Sequence, residues 1–242
     1  MNINQGTLTL ISKTEVARET IRLIFSVTTL RSLTGETLKP EDWTFEAGQF
    51  ISLGFDTKTW RAYSIASTPK DPEIELVVRL VEGGKGSEAL RKMKVGETLD
   101  FKGPFGHFVL SENKENTLVF CGTGTGIAPL RSMILAENNK ENPRDMILLY
   151  GGRNADDIAY LDEIEKWSEK LKIYLGLSRD SEAEKFAPYA KNCRITKFLE
   201  DKVYPENSEF YICGNGQMVV SVQEILHSQG IPKERIFMER FN

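Results

Sequence analysis

Two rhythms divide the chain. Up to about residue 112, apolar and other positions alternate, as at Ile21, Leu23, Phe25 and Val27 and again at Ile74, Leu76, Val78 and Leu80. A period of two sets one series of side chains on one face of an extended chain, which predicts half-buried strands. Residues 7–11, 49–55 and 98–102 are further short strand candidates, separated by Gly, Pro and Asp. Many short strands between turn residues predict an antiparallel β-barrel, closed or nearly so. Residues 28–45 read as a loop longer than a minimal barrel requires.

Beyond residue 113 compact apolar runs replace the alternation, at 118–121, 146–150, 173–177, 210–213 and 236–238. Helical spacings lie between them. Ile158, Leu161, Ile164 and Leu171 would share one face of a helix, and Met218, Val222, Ile225 and Leu226 one face of another. Strands of this kind alternating with helices predict a parallel sheet covered on both faces. The polar stretch 111–116 is the natural boundary. The reading is therefore two domains, 1–112 as a β-barrel and 113–242 as an α/β unit, with no internal repeat.

Composition narrows the chemistry. A net charge of −4 gives no support for nucleic-acid binding. No apolar run approaches the length of a bilayer span, and residues 1–13 lack the layout of a signal peptide, so a cytoplasmic protein is expected. The three cysteines, Cys121, Cys193 and Cys213, are too far apart and too few for a zinc clip or an iron–sulfur cluster of their own. With only His107 and His227 besides, no metal site is expected, and redox work would need an organic cofactor.

Four stretches carry candidate chemistry. In Arg61-Ala62-Tyr63-Ser64 an arginine able to fork onto a diphosphate shares a strand face with an aromatic, followed by a small hydroxyl. Many ordinary strands alternate in this way. Gly83-Gly84-Lys85-Gly86-Ser87 then opens a short helix, with Ser87 as the expected N-cap and amides positioned for an anion; the alternative is a flexible hairpin turn. Gly122-Thr123-Gly124-Thr125-Gly126 follows the run 118–121 and precedes a helical segment, as a dinucleotide loop does. It departs from G-x-G-x-x-G, because Ile127 stands where the third glycine would fall. Tyr150 and Gly151, not an acid, end the second run. Cys213-Gly214-Asn215-Gly216-Gln217-Met218 again lies between strand and helix.

Taken in order, these stretches resemble the ferredoxin–NADP reductase superfamily across essentially the whole chain, in its bacterial form and with no fused iron–sulfur domain. The resemblance implies that Arg61, Ala62, Tyr63 and Ser64 hold FAD, with Lys85, Gly86 and Ser87 as a second pyrophosphate clamp. Thr125 and Phe241 complete the flavin set, Phe241 covering the second flavin face; the alternative is that it plugs the sheet's end. For the nicotinamide coenzyme it implies Gly124, Thr125, Gly126, Cys213, Gly214 and Met218, with Arg153 alongside. Ser178, Arg179 and Arg194 resemble the contacts to a ribose 2′-phosphate, which favours NADP over NAD, although both arginines also suit solvated surface positions. Ser64, Cys213 and Glu239 are the implied catalytic groups, acting by position and not as covalent nucleophiles; Glu239 otherwise suits an exposed ion-pair partner.

The implied activity is hydride transfer between nicotinamide and flavin, with electrons leaving for a separate carrier such as ferredoxin or flavodoxin. A free-flavin or small-molecule reductase is the nearest competitor. A cofactor-binding module without turnover is the third reading, opposed by the presence of both flavin and nucleotide motifs. The sequence does not fix the oligomeric state.

Overall fold

A computed structural model describes residues 3–186 and 189–241. The chain divides into two compact units, one of Met1–Leu110 with Arg131–Ala136, the other of Ser111–Leu130 with Glu137–Asn242.

The first unit contains β1 (Asn4–Ala17), β2 (Thr20–Ser32), β3 (Thr37–Leu38), β4 (Phe50–Gly54), β5 (Trp60–Ser64), β6 (Ile74–Arg79), helix α1 (Lys85–Lys92) and β7 (Thr98–Phe105). Its sheet runs β3-β2-β1-β7-β4-β5, with β6 paired to β2 as well. All pairings are antiparallel. Just past β5, Ile65 bridges Leu76 of β6, and the Ala66 N–H donates to the Glu75 carbonyl at 2.8 Å. The sheet thus curls into a barrel whose last seam is one bridge instead of a ladder. Leu8, Leu10, Leu23, Phe25, Ile51 and Phe101 fill the interior.

Two expectations change here. Residues 28–45 are not one long loop: β2 continues to Ser32 and folds back through β3. The pairing of β1 with β2 shifts register at Thr7/Leu8, opposite Thr29 and Val27. This irregularity lets Leu30 bury, although it is out of phase with Ile21, Leu23 and Phe25. In β6 the alternation hides a second buried face, because Glu75 and Val77 are also covered. The Glu75 carboxylate meets Arg22 Nη2 at 2.7 Å and Arg131 Nη1 at 3.4 Å.

The second unit contains β8 (Leu118–Thr123), α2 (Ile127–Asn138), β9 (Met146–Gly152), β10 (Leu171–Leu177), α3 (Ala183–Phe186), β11 (Ala190–Lys191), α4 (Ile195–Asp201), β12 (Glu209–Asn215), α5 (Gly216–Ser228) and β13 (Ile236–Phe241). Part of α2, Arg131–Ala136, is grouped with the first unit. The sheet is parallel, in the order β11-β10-β9-β8-β12-β13. From β8 the chain winds first toward β11, then returns to the other side of β8 with β12. The topological switch lies between β8 and β12, where open α/β sheets place ligands. Val119, Leu149, Phe198, Phe210, Val222 and Leu226 belong to the core.

The helix expected from Ile158, Leu161, Ile164 and Leu171 does not form. Short 3₁₀ turns at Ala155–Asp157 and Ile164–Lys166 take its place, and Leu171 begins β10. Tyr160 has a left-handed φ of 63°, which a right-handed helix cannot contain. The Ala159 N–H donates to the Tyr150 hydroxyl at 3.3 Å, away from any helical carbonyl. The apolar spacing buries Ile158, Tyr160 and Ile164 through turns. The second expected helix is α5, with Val222 and Leu226 buried and Met218 and Ile225 packed at the edge.

Residues 111–113 are fixed within the second unit. Arg144 clasps Glu137 with Nε at 3.0 Å and Nη2 at 2.7 Å, while its Nη1 donates to the Asn113 carbonyl at 2.6 Å. Burial alone would raise the Glu137 carboxyl, but hydrogen bonds from Arg144 and Lys140 prevail and bring its pKa to about 2. A depressed folded-state pKa gives stability that is complete above the unfolded value near 4.5 and lost as pH falls through the folded one. Wild type should exceed Glu137→Gln in unfolding free energy by about 3 kcal/mol at neutral pH. Denaturant melts across pH 2–5 should show that margin shrinking toward the acid end; a pH-independent margin would refute the assignment.

Candidate cofactor sites

In the first unit, β5 presents Arg61 and Tyr63 on one face and Ser64, which is buried, on the other. The Arg61 guanidinium is exposed and donates through Nη1 to the Trp60 carbonyl at 2.8 Å. The Tyr63 ring stands edge-on to Phe55, with centroids 6.3 Å apart. Burial pushes the Tyr63 hydroxyl up to about 12, against the pull of the nearby Arg61 charge. The hydroxyl therefore stays protonated across the neutral range.

Helix α1 meets this face at Gly86. A Cβ there would lie 2.8 Å from the Tyr63 hydroxyl and 3.1 Å from the Phe55 ring. Only a residue without a side chain lets the helix start come so close, and two motifs 20 residues apart become one surface. Ser87 does not cap the helix. Gly84 is the N-cap, and the Ser87 hydroxyl accepts from the Val81 N–H at 2.9 Å. The hydroxyl is drawn to the preceding turn because the link from β6 to α1 leaves that N–H in need of an acceptor. Lys85 is exposed at the same end. An exposed guanidinium, a half-buried aromatic and a helix start with no side-chain cap fit a flavin with a diphosphate.

In the second unit the switch point brings Thr123–Gly126 beside Cys213–Asn215. A Cβ on Gly126 would fall on the Cys213 carbonyl. Gly214, at φ +139°, likewise leaves no room for a side chain against Thr123. The Thr123 hydroxyl accepts from the Asn215 N–H at 3.3 Å, and the Asn215 side chain caps α5 by accepting from the Gln217 N–H at 3.0 Å. Gly124 has φ +55° and nothing within 4 Å of its Cβ position. That cradle, with Thr125 beside it, has the character of a phosphate-binding turn. Met218 packs into the apolar core edge of α5.

Cys213 is fully buried and stands in register with Glu239 on β13. Burial, reinforced by the Glu239 carboxylate, holds its thiol well above the ordinary range. A thiol so strongly protonated is a steric and polarisable neighbour, not a nucleophile. The thiols of Cys121 and Cys193 are also raised, in each case chiefly by burial. Phe241 pairs with Asn215, so Cys213, Glu239 and Phe241 converge on the C-terminal ends of β12 and β13.

A second group gathers at the ends of β9 and β10. The Arg179 N–H donates to the Arg153 carbonyl at 2.8 Å, and the Ser178 N–H to the Gly152 carbonyl at 3.1 Å. Arg194 precedes α4, in a segment that lies across Gly176 of β10. All three guanidinium-bearing residues are exposed. Sequence reasoning missed Tyr150, which is wholly buried in β9 and donates from its hydroxyl to the Gly124 carbonyl at 2.9 Å. The available signal was a phenol in an otherwise aliphatic core strand, since a buried hydroxyl needs a partner. Arg131, which reaches the Ala66 carbonyl at 2.8 Å, carried no comparable signal. Among the described residues no cluster of His, Cys, Asp and Glu could hold a metal, and no helix is long and apolar enough to cross a membrane.

Comparison with known proteins gives both halves a family. Residues 7–110 match the family model described as an oxidoreductase FAD-binding domain, and residues 120–224 that of an oxidoreductase NAD-binding domain. Ferredoxin–NADP reductase B of Sorangium cellulosum is 32% identical over 226 residues, covering 88% of this chain and 92% of that protein. The reductase component of propane 2-monooxygenase from Rhodococcus jostii is 30% identical over 212 residues; the match covers 84% of this chain but 57% of that longer protein. The crystal structure of Amycolatopsis cytochrome P450 reductase GcoB superposes with a TM-score of 0.83 at 26% identity, covering all of this chain and 71% of that one. With a flavin-type surface in one unit and a nucleotide turn in the other, the chain belongs to the ferredoxin–NADP reductase superfamily, as an FAD- and NAD(P)-binding flavoprotein oxidoreductase.

Proposed function

We propose that this protein takes electrons from NADPH through FAD and delivers them to a separate, soluble carrier of the ferredoxin or flavodoxin type. One observation carries the reading: a single chain holds both the Arg61–Tyr63–Gly86 surface and the glycine turn at the β8/β12 switch. The relative that matches nearly end to end bears the name of a ferredoxin–NADP reductase, which supports the choice of carrier. Residues 1–112 are assigned to FAD and 113–242 to NAD(P), and the protein is assigned to the cytoplasm.

When bound, the nicotinamide and isoalloxazine rings supply hydride transfer, and the flavin can release electrons singly. The protein's part is placement. Arg61 would neutralise the flavin diphosphate, with Ala62 leaving the strand surface low and Tyr63 offering its ring. The amides of Gly86 and Ser87, with Lys85, would take the other side of the diphosphate. Ser64 is assigned to the flavin side of the reaction, and Cys213 and Glu239 to the nicotinamide side, with Phe241 as the covering aromatic. Thr125 would serve both cofactors. Gly124, Gly126, Gly214 and Met218 would shape the coenzyme seat. Ser178, Arg179 and Arg194 are assigned to the adenosine 2′-phosphate, the feature that favours NADPH over NADH, with Arg153 assigned to the coenzyme beside them.

Three measurements test this. NADPH should drive reduction of purified ferredoxin or flavodoxin at least tenfold faster than reduction of free FMN, a difference of about 1.4 kcal/mol in barrier. Preferred turnover with free flavin would overturn the carrier assignment. Gly86→Ala should displace the Tyr63 hydroxyl and lower FAD retained per chain after gel filtration, and full retention would separate Gly86 from the flavin seat. Arg179→Ala should cut kcat/KM for NADPH about tenfold or more with little change for NADH, as expected for a lost charge-assisted bond. An unchanged ratio would remove Arg179 from the 2′-phosphate site.

A further inference from the structure

Tyr150 connects the glycine turn to the arginine group. Its ring starts in β9 opposite Gly122 of β8. The hydroxyl then donates to the Gly124 carbonyl at 2.9 Å and accepts from the Ala159 N–H at 3.3 Å. Ala159 closes a short turn whose Asp157 carboxylate accepts from the Arg153 N–H at 3.1 Å. The Arg153 carbonyl in turn accepts from the Arg179 N–H at 2.8 Å. A series of hydrogen bonds, joined through the backbone of residues 157–159 and of Arg153, therefore runs from the positive-φ glycine to the backbone of Arg179, with a wholly buried phenol within it. Burial keeps that hydroxyl protonated, hence a permanent donor.

We propose that Tyr150 is a positioning residue for coenzyme selection. It fixes the distance between the turn that takes the pyrophosphate and the arginines that take the 2′-phosphate. The proposal rests on the assignment of Arg179 to that phosphate made above. A dinucleotide spans both places at once, so a seat of fixed span rewards the phosphorylated coenzyme only when both ends are held in register. Loss of the hydroxyl leaves the Gly124 carbonyl and the Ala159 N–H without the partner they share, and each end relaxes separately. The penalty falls on the coenzyme that uses both ends.

The test is calorimetric titration of NADP⁺ and NAD⁺ into the flavin-loaded protein, which reads binding without turnover. Tyr150→Phe should lower the NADP⁺-to-NAD⁺ affinity ratio about tenfold, the scale of a buried hydrogen bond. Tyr204→Phe is the control, because it removes a half-buried hydroxyl bond to the Phe198 carbonyl, at 3.1 Å, that lies outside the series. It should leave the ratio unchanged. Asp157→Ala cuts the series at another link and should move the ratio in the same direction, which keeps the test open if Tyr150→Phe fails to fold. An unchanged ratio in Tyr150→Phe, even with both affinities reduced, overturns the proposal, as does an equal fall in Tyr204→Phe. Arg179→Ala separates the two readings. If it moves the ratio and Tyr150→Phe does not, only the positioning role falls; if it does not, the 2′-phosphate assignment falls and takes the positioning role with it.

Discussion

The contact between Gly126 and the Cys213 carbonyl constrains the nucleotide-binding unit at its switch point. Strands β8 and β12 are neighbours at the switch point, and each ends in a turn that must clear the other. With side chains on both turns the two ends would be forced apart. With none, backbone meets backbone, Thr123 can bond Asn215, and α2 and α5 start from adjacent points. The glycines do separate work. Gly124 supplies a backbone conformation and open space, whereas Gly126 and Gly214 supply clearance.

Charge is handled alike in the two units: Glu75 and Glu137 are each buried against cationic partners. Glu75 is covered where the barrel seam is thinnest, between Arg22 and Arg131. Beside it, Ser132 donates to the Ser67 carbonyl at 2.6 Å, so the Arg131–Ala136 segment is bonded to the stretch that follows β5. Glu137 and Arg144 do the equivalent for residues 111–113. Neither arrangement is a strong argument for net stability, since desolvation consumes much of the attraction. Both specify geometry: an unpaired carboxylate at either place is costly enough to exclude alternative packings.

Periodicity made the strands legible because strand residues alternate wherever one face is buried, and the two units differ in that rhythm. It failed where burial did not follow the period. Glu75 and Val77 fill the second face of β6, and a register irregularity reverses the phase of β2 before Leu30. It also failed at 158–171, where apolar residues at helical spacing pack through turns around Tyr160. In the candidate sites, glycines and arginines stood out as residue types. Their pairing across the chain did not, because Gly86 meets Tyr63 and Gly126 meets Cys213 only after folding. Ser87 shows the reverse error: its position suited a cap, but the Val81 backbone N–H claimed it.

The state of the thiols bears on a different hazard. Reduced flavins react with dioxygen, so a flavoprotein is a local source of peroxide. Peroxide attacks thiolates far faster than thiols, and the first product, a sulfenic acid, opens the way to irreversible oxidation. Cys213 lies in the proposed coenzyme seat, where a sulfur oxide would be bulky and polar. Its burial and its negatively charged neighbour suppress the thiolate, and Cys121 and Cys193 are shifted the same way. The electrostatics that deny Cys213 a role as nucleophile thus also disfavour the thiolate form that peroxide would attack.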